Sequence, residues 1–314
     1  MRINPVYKKE LKMMARSRQL PVLAAVFNSI LAVVAIIVLY CIRQIAVNSG
    51  TSPYDYMMPF YMAILSIEVF LFFLFVPSAA GGSIAGERER QTLDILLASK
   101  MTVPGIIWGK LMSCISMALL LGISSLPVLA ITVMYGGIGL SDIYQSMIYT
   151  GFLVLLTGCV GVFCSCCFKK TTLASIASYG ILVFLTVGTA LIVILLNAAY
   201  LLKTGDGAGT YYVYDMLMGG SGAVIHGLIY IWLLNPAVTY FTVLIGQLGN
   251  ARDIENLLLS FGASQYAADH WIFLSILVQT TFTIILLILS VKYLDPQNEH
   301  FQAGRKILKK HKRR

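Results

Sequence analysis

The side chains that most often do chemistry in proteins are few in this chain and lie far apart. No His-Glu-x-x-His or Gly-x-Ser-x-Gly spacing occurs, and these are the spacings that build metalloprotease and hydrolase sites. Lys110 follows Gly109, but it lacks the spacing of a phosphate-binding loop and the Ser or Thr after the lysine. The four histidines are scattered: His226, His270, His300 and His311. We therefore expect no catalytic residue, no metal site and no cofactor bound by this chain, and we expect that it is not an enzyme.

The six cysteines do not suggest a metal site either. A group of them crowds one stretch, namely Cys159, Cys164, Cys166 and Cys167. Their spacing matches no common zinc pattern, and no histidine lies nearby. We interpret them as reduced thiols that act as small apolar residues within a helix.

A single acidic residue, Glu68, interrupts a long apolar run near its middle. An ionisable group inside a membrane is costly and commonly marks a substrate or ion pathway. The same side chain could instead be held protonated, or bond a Ser, Thr or Tyr on a neighbouring helix and hold two helices together. Both interpretations stay open, and Glu68 is named as a possible pathway residue.

A dense group of charges lies in residues 86–99, whose sequence is GERERQTLDILLAS. Glu87 and Glu89 are expected at a helix N-terminus, where the helix dipole favours anions. Arg90 and Asp94 have the i, i+4 spacing of an ion pair on one helix face. An apolar face follows at helical spacing: Leu93, Leu96 and Leu97. The pattern predicts a short amphipathic helix, which either docks a soluble partner and passes its motion to the membrane or simply connects two spans.

The elements around these residues are long, uncharged and apolar. Of the 314 residues, 58% are hydrophobic and only 12% are charged, and the mean hydropathy is +0.80. A soluble domain carries about 25% charged residues, so this chain has too little charge to cover a soluble surface. Long uncharged runs indicate membrane-spanning helices. The predicted fold is an all-α membrane protein with six spans, at residues 20–42, 59–84, 103–135, 143–168, 173–202 and 271–291.

The residues before the first span have the pattern of a surface helix. Asn4 is a favourable N-cap, and Pro5 suits the first helical position. Apolar residues recur at helical spacing away from the basic ones: Tyr7, Leu11 and Met14. Residues 1–19 are therefore predicted to form an amphipathic helix on the membrane surface. The net charge is +9, and the basic residues lie beside apolar runs. This position favours an anionic inner leaflet over nucleic acid as the partner.

The positions of the basic residues predict the orientation of the spans. With the N-terminus inside and six crossings, all but three of the 23 Lys and Arg residues lie on the cytoplasmic side. The exceptions are Arg43, Lys203 and Arg252. This bias predicts a multi-pass protein of the plasma membrane, with both termini in the cytoplasm and a basic cytoplasmic tail at 292–314.

An apolar run inside the predicted extracellular region, residues 203–270, is broken at Asn235 and Pro236. A single crossing at 223–248 would place the basic tail outside, so an even number of crossings is required. Each half of the run has about twelve residues, whereas a full span needs about 20. We therefore predict that 223–248 forms two short re-entrant helices that turn at Asn235 and Pro236, where the proline breaks the helix.

The 86–99 segment resembles a known element in the permease subunits of ABC-2 type transporters. In that family a Gly-Glu-Arg/Lys-Glu-x-x-Thr-Leu-acid-x-Leu-Leu element follows the second span. In this chain it reads Gly86-Glu87-Arg88-Glu89-Arg90-Gln91-Thr92-Leu93-Asp94-Ile95-Leu96-Leu97, and Gly109-Lys110-Leu111 follows it. The start, Asn4-Pro5-Val6-Tyr7-Lys8-Lys9-Glu10-Leu11, is similar to that of the subgroup with nitrous-oxide-reductase maturation and gliding-motility permeases. Gln91 stands where Gly is common and Lys100 where Pro is common, and both are expected to be tolerated in a helix.

The resemblance implies a single transmembrane domain over residues 1–314 that acts as the permease of an ATP-binding cassette exporter. Such a permease pairs with a second, identical or related permease and with two copies of a cytoplasmic ATPase, which bind ATP and Mg²⁺. A bacterial plasma membrane is implied as well. The implied ATPase-coupling residues are Gly86, Glu87, Arg88, Glu89, Arg90, Thr92, Leu93, Asp94, Leu96 and Leu97.

Two other functions stay open. One is a permease that confers immunity by extracting an antibiotic or bacteriocin peptide from the membrane. The other is a membrane sensor or scaffold that does not transport and whose cytoplasmic helix binds a signalling protein.

Overall fold

The computed structural model describes residues 4–52, 56–98, 101–134, 138–203, 227–247 and 251–294. Within these ranges the elements are helices joined by short connections and no strand occurs, which confirms the predicted all-α fold. Residues 204–226 of the predicted extracellular region and residues 295–314 of the predicted basic tail lie outside the described ranges.

The described residues form a series of α-helices that differ widely in length. They are α1 (Pro5–Arg16), α2 (Gln19–Ser49), α3 (Met57–Glu89), α4 (Leu93–Leu97), α5 (Val103–Met134), α6 (Leu140–Cys167), α7 (Thr171–Val183), α8 (Thr189–Lys203), α9 (Pro236–Gln247), α10 (Ala251–Ser260), α11 (Gln265–Asp269) and α12 (Trp271–Leu294). A π-helical turn, Phe184–Gly188, joins α7 to α8, and a 3₁₀ helix, Leu228–Leu234, precedes α9.

Among the described residues, six helical units are long and apolar enough to cross a membrane, as predicted. They are α2, α3, α5, α6, the unit formed by α7 and α8 with the π-helical turn between them, and α12. Two helices extend well past the predicted bounds: α2 continues to Ser49, and α3 continues to Glu89 and so carries charged residues on its last turns.

Helices α3 and α6 form the centre of the bundle, and small residues allow them to approach closely. α3 packs against α2, α5, α6 and α7, and α6 also packs against α5, α7 and α12. A Cβ added to Gly161 of α6 would lie 2.5 Å from the Cβ of Ala80 on α3, so a larger residue does not fit there. A Cβ added to Gly81 would lie 3.2 Å from the backbone of Ser175 on α7. Small residues of this kind are what membrane helices use for close packing.

The predicted break in the apolar run 223–248 is present at Asn235 and Pro236. The 3₁₀ helix and α9 meet there at an angle of 88°. Pro236 opens α9, and the side-chain oxygen of Asn235 accepts from the backbone N–H groups of Ala237 at 2.9 Å and Val238 at 3.1 Å. Asn235 is therefore the N-cap of α9. The first half is a seven-residue 3₁₀ helix, and the re-entrant path of 223–248 stays a prediction.

Candidate functional site

The charged residues of the 86–99 segment lie on two helices and on the turn between them. α3 continues through Glu89, and α4 is a separate helix of five residues. Arg90 follows the end of α3, whereas Asp94 lies in the first turn of α4. The prediction of one amphipathic helix over 86–99 was therefore wrong, and so was the i, i+4 ion pair of Arg90 with Asp94.

Gln91 is the residue at which the chain turns from α3 to α4. Its φ angle is +57°, a left-handed conformation that glycine adopts more readily than a residue with a side chain. Thr92 closes the turn, because its N–H donates to the Glu87 carbonyl at 2.9 Å and its hydroxyl donates to the Glu87 carboxylate. The expectation that Gln91 would lie in a helix was wrong, and the left-handed conformation at this position is one that suits Gly.

Arg88 and Glu89 bind the two helix ends that face each other across the α6–α7 connection. Arg88 Nη1 donates to the carbonyls of Phe168 at 3.1 Å and Cys166 at 3.3 Å, at the end of α6. The Glu89 carboxylate accepts from the N–H of Thr171 at 2.9 Å and from its hydroxyl at 3.0 Å, at the start of α7. Both charges complement the helix dipoles. Glu89 thus does lie at a helix N-terminus, but that of α7 and not of its own helix.

Lys110 is the centre of the ion pairs at this end of the bundle. Its Nζ lies 2.6 Å from Glu10 Oε1 on α1 and 3.1 Å from Glu87 Oε1 on α3. The side chain of Lys110 is 5% exposed, and those of Glu10 and Glu87 are 16% and 18% exposed. Removal of one partner from an ion pair with so little access to water strongly destabilises the folded protein, because the other charge is left buried and unpaired. Lys110 therefore joins α1, α3 and α5.

Helix α1 is held against α5 by further contacts near its start. Asn4 caps α1 as predicted, because its Oδ1 accepts from the Val6 N–H at 3.0 Å. Asn4 Nδ2 also donates to the Gly105 carbonyl on α5 at 2.6 Å. Val6 is buried against Gly109, where an added Cβ would lie 3.0 Å from the Val6 Cβ. These contacts fix α1 to its own bundle, and its position on a membrane surface stays a prediction.

Two of the three leucines of the predicted apolar face pack inside the protein. Leu93 is 6% exposed and belongs to the same buried cluster as Ile107 and Leu111, against which Leu97 also packs. Leu96 is half-buried, and its role as an anchor for a partner stays a prediction. Among the residues exposed at this end of the bundle are Arg90, Asp94 and Ile95, of which Ile95 is 73% exposed.

We call Glu10, Glu87, Arg88, Glu89 and Lys110 the charged junction, and the exposed residues Arg90, Asp94 and Ile95 the tip. The charged junction connects one end of α3 to α1 and α5 and to the facing ends of α6 and α7. Sequence reasoning named the three residues on α3 but missed their partners. One signal was present: a lysine within an apolar run needs an acidic partner.

Glu68 lies apart from the charged junction, farther along α3. It is 4% exposed, and Ser125 on α5 donates its hydroxyl to Glu68 Oε1 at 2.7 Å. The predicted hydrogen bond to a neighbouring helix is thus present, and the pathway interpretation stays open. Within the described ranges, no group of three His, Cys, Asp or Glu side chains could hold a metal ion.

The predicted turn residue Asn235 binds two other helical elements through its amide. Its Nδ2 donates to the Thr186 carbonyl at 2.7 Å and to the Thr189 hydroxyl at 2.8 Å, at the π-helical turn. Gln279 of α12 donates to the Leu233 carbonyl at 3.1 Å. Asn235 is 1% exposed and Gln279 is fully buried. We call Asn235 and Gln279 with these partners the amide turn.

Comparison with known families gives a match over nearly the whole chain. Residues 4–294 match the family model described as ABC-2 family transporter protein. No curated protein matches the chain with significance.

Proposed function

Because the chain belongs to the ABC-2 family of transporter proteins, it is the membrane subunit of an ABC transporter, and we propose that it exports its substrate. The family implies association with an ABC ATPase and with the membrane. We propose that the ATPase binds at the tip. The observation that supports this most is the charged junction, which ties the residues next to the tip to four other helices.

The tip offers the features of a small docking surface. It presents an exposed apolar side chain, Ile95, together with exposed charges of both signs, Arg90 and Asp94. Exposed charges contribute only ~0–1 kcal/mol in water. At an interface that excludes water, loss of one partner of a charge pair costs about 2–5 kcal/mol. Substitutions at the tip should therefore have large effects only if a partner covers it.

The charged junction supports a mechanism in which motion at the tip reaches several spans together. Glu87, Arg88 and Glu89 immediately precede the turn that leads to α4. A displacement of α4 pulls on this turn and hence on the helix ends that the three residues hold. We propose that ATP binding closes a pair of ATPase subunits and that this closure moves the tips of two permease copies, identical or related.

The orientation of the chain in the membrane is part of the same proposal. The bias of Lys and Arg towards the tail and the connections on the α1 side supports a cytoplasmic location for both termini and for the tip. We propose a bacterial plasma membrane as the location, since basic residues on the inner side favour an anionic leaflet.

The experiment compares two aspartate substitutions of exposed apolar residues at opposite ends of the bundle. Ile95→Asp changes the tip, and Leu140→Asp is the matched control, because Leu140 is 75% exposed and begins α6. Each variant is co-expressed with its ATPase, purified from membranes, and assayed for retained ATPase and for ATP hydrolysis. Ile95→Asp should weaken ATPase retention at least ten-fold, which corresponds to about 1.4 kcal/mol, and Leu140→Asp should not.

A second variant separates docking from transmission. Glu89→Gln keeps the tip but weakens the bonds to Thr171, so the ATPase should remain bound while transport per ATP falls. If Ile95→Asp combined with Arg90→Glu retains the ATPase at the wild-type level, docking at the tip is wrong. If the wild-type chain retains no ATPase but captures a kinase or regulator, the sensor function replaces the exporter.

A further inference from the structure

A small cavity lies beside Glu68, between α3, α5 and α6. Its volume is about 50 Å³, which is enough for one small polar group or a few water molecules. Apart from Glu68 and Thr150, the side chains that line it are apolar. The cavity therefore combines an acidic group with surroundings that hold little water.

The carboxylate of Glu68 has few partners within the protein. Ser125 donates to Oε1, and no other described residue donates a hydrogen bond to this carboxylate or forms an ion pair with it. A charge in a membrane span without a counter-charge is costly. Such a group takes up either a proton or a cation, and a cation in the cavity offsets the cost while the carboxylate keeps its charge.

Two glycines leave the cavity accessible from the side of the bundle. A Cβ added to Gly122 of α5 would lie 3.6 Å from the Phe72 ring and 3.8 Å from Glu68 Oε1, so any larger side chain there would enter the cavity. Gly151 of α6 has no neighbouring atom within 4 Å of an added Cβ. Beside them, Ile123 is 56% exposed. The opening thus lies on the apolar outer surface between α5 and α6.

We propose that this cavity binds the cationic group of an amphiphilic substrate whose apolar part lies against α5 and α6. The inference rests on the proposed function, because it names the substrate class of the exporter.

Charge and access both select this class of ligand. An anion or a neutral polar group in the cavity would leave the carboxylate without a counter-charge, whereas an ammonium group supplies both the charge and hydrogen-bond donors. A ligand that reaches the cavity through the apolar surface between two spans must carry an apolar part. The shared chemistry is that of an alkylammonium, whether a free amphiphile or the headgroup of a lipid.

The test measures binding to the purified full chain in a neutral maltoside detergent, without ATPase or ATP. The probes are a fluorescent dodecylammonium and its uncharged dodecanol counterpart. Wild type should bind the ammonium probe at least ten-fold more tightly than the alcohol. Glu68→Gln keeps an acceptor for Ser125 but removes the charge, so it should abolish this preference.

Glycine variants test the route of access. Gly122→Leu should weaken binding of both probes at least ten-fold, because the new side chain fills the cavity. Gly180→Leu is the matched control, since Gly180 is an exposed glycine of α7 with no atom near an added Cβ, and it should bind both probes as wild type does.

The remaining measurements show whether the ligand is a lipid headgroup or a free amphiphile. They also separate this inference from the proposed function. Displacement of the ammonium probe by phosphatidylethanolamine supports a lipid headgroup as the ligand, and lack of displacement supports a free amphiphile. Equal affinity of wild type and Glu68→Gln for the ammonium probe overturns the inference, even if the ATPase co-purifies. Binding of the probe without any ATPase association leaves the cavity assignment intact and contradicts the exporter.

Discussion

The charged junction and the amide turn both tie a break in the chain to several helices, but they use different chemistry. The charged junction uses full charges, and the side chains of Glu10 and Glu87 are 16% and 18% exposed. The amide turn uses neutral amides that are almost completely buried. A charge costs less to hold where some water remains, whereas a deeply buried site favours neutral groups, which cost less than a charge even where one atom lacks a partner, as Gln279 Oε1 does.

The two regions differ in how strongly they can respond to a partner that covers them. Ion pairs change strength when a charged or apolar surface covers them, because the interaction depends on the local dielectric. Hydrogen bonds between neutral, buried groups depend much less on what lies outside the protein. The charged junction is therefore the region that a docked subunit can adjust, and the amide turn is the fixed end of the bundle.

The largest expected effect comes from removal of the central cation. Lys110→Met should lower the free energy of unfolding by about 3 kcal/mol, since two carboxylates with little access to water lose their counter-charge. The measurement is denaturant unfolding of the purified chain in detergent micelles.

The matched control for Lys110→Met removes all three charges. The triple variant with Glu10→Gln and Glu87→Gln leaves no unpaired charge and should recover most of the lost stability. Equal stability of Lys110→Met and wild type would contradict the role of this ion pair, and the contrast between the two regions would disappear.

A smaller effect is expected at the amide turn. Asn235→Ala removes the N-cap of α9 and the two bonds to the π-helical turn, which should lower the free energy of unfolding by about 2 kcal/mol. Asn235→Asp tests whether the amide turn requires neutral groups, because it keeps the cap acceptor but places a charge beside the Thr186 carbonyl. The same denaturant titration should find Asn235→Asp no more stable than Asn235→Ala, and wild-type stability of the Asp variant would argue against a requirement for neutral groups.

The smallest expected effect is a gain. Gln91→Gly relieves the left-handed backbone at the end of α3 and should raise the free energy of unfolding by about 0.5–1 kcal/mol, after the extra freedom of glycine in the unfolded chain is subtracted. Gln91→Ala retains a Cβ and should bring no gain. Thermal unfolding of the two variants side by side checks this, and an equal melting temperature for both would show that the turn is not strained.

Features that depend on local sequence were predictable. The six spans follow from uncharged apolar runs, the cap at Asn4 follows from Asn before Pro, and the break at Asn235 follows from Pro236. Each of these depends on residues that are neighbours in the chain, so the sequence alone carries the information.

Features that depend on distant partners were not predictable. Glu89 and Thr171 are 82 positions apart, and no pattern within the 86–99 segment indicates that they meet. The positive φ of Gln91 is unusual for its residue type, and for that reason the helix was expected to continue through it. The direction of the Leu93 face likewise depends on where α5 lies, because Ile107 and Leu111 on that helix share its buried cluster.

Helix α3 is continuous from Met57 to Glu89 with an acid on each side of Pro77, so a tilt of the whole helix about Pro77 moves the two acids in opposite directions. Pro77 lies within the helix and cannot donate a backbone bond, while the Tyr179 hydroxyl donates to the nearby Leu74 carbonyl. Glu68 and Glu87 lie about 13 Å and 15 Å from this pivot at 1.5 Å per residue. A tilt of about 10° about Pro77 would move each acid by roughly 2 Å in opposite directions, so a small rotation imposed at the charged junction would change the width of the Glu68 cavity.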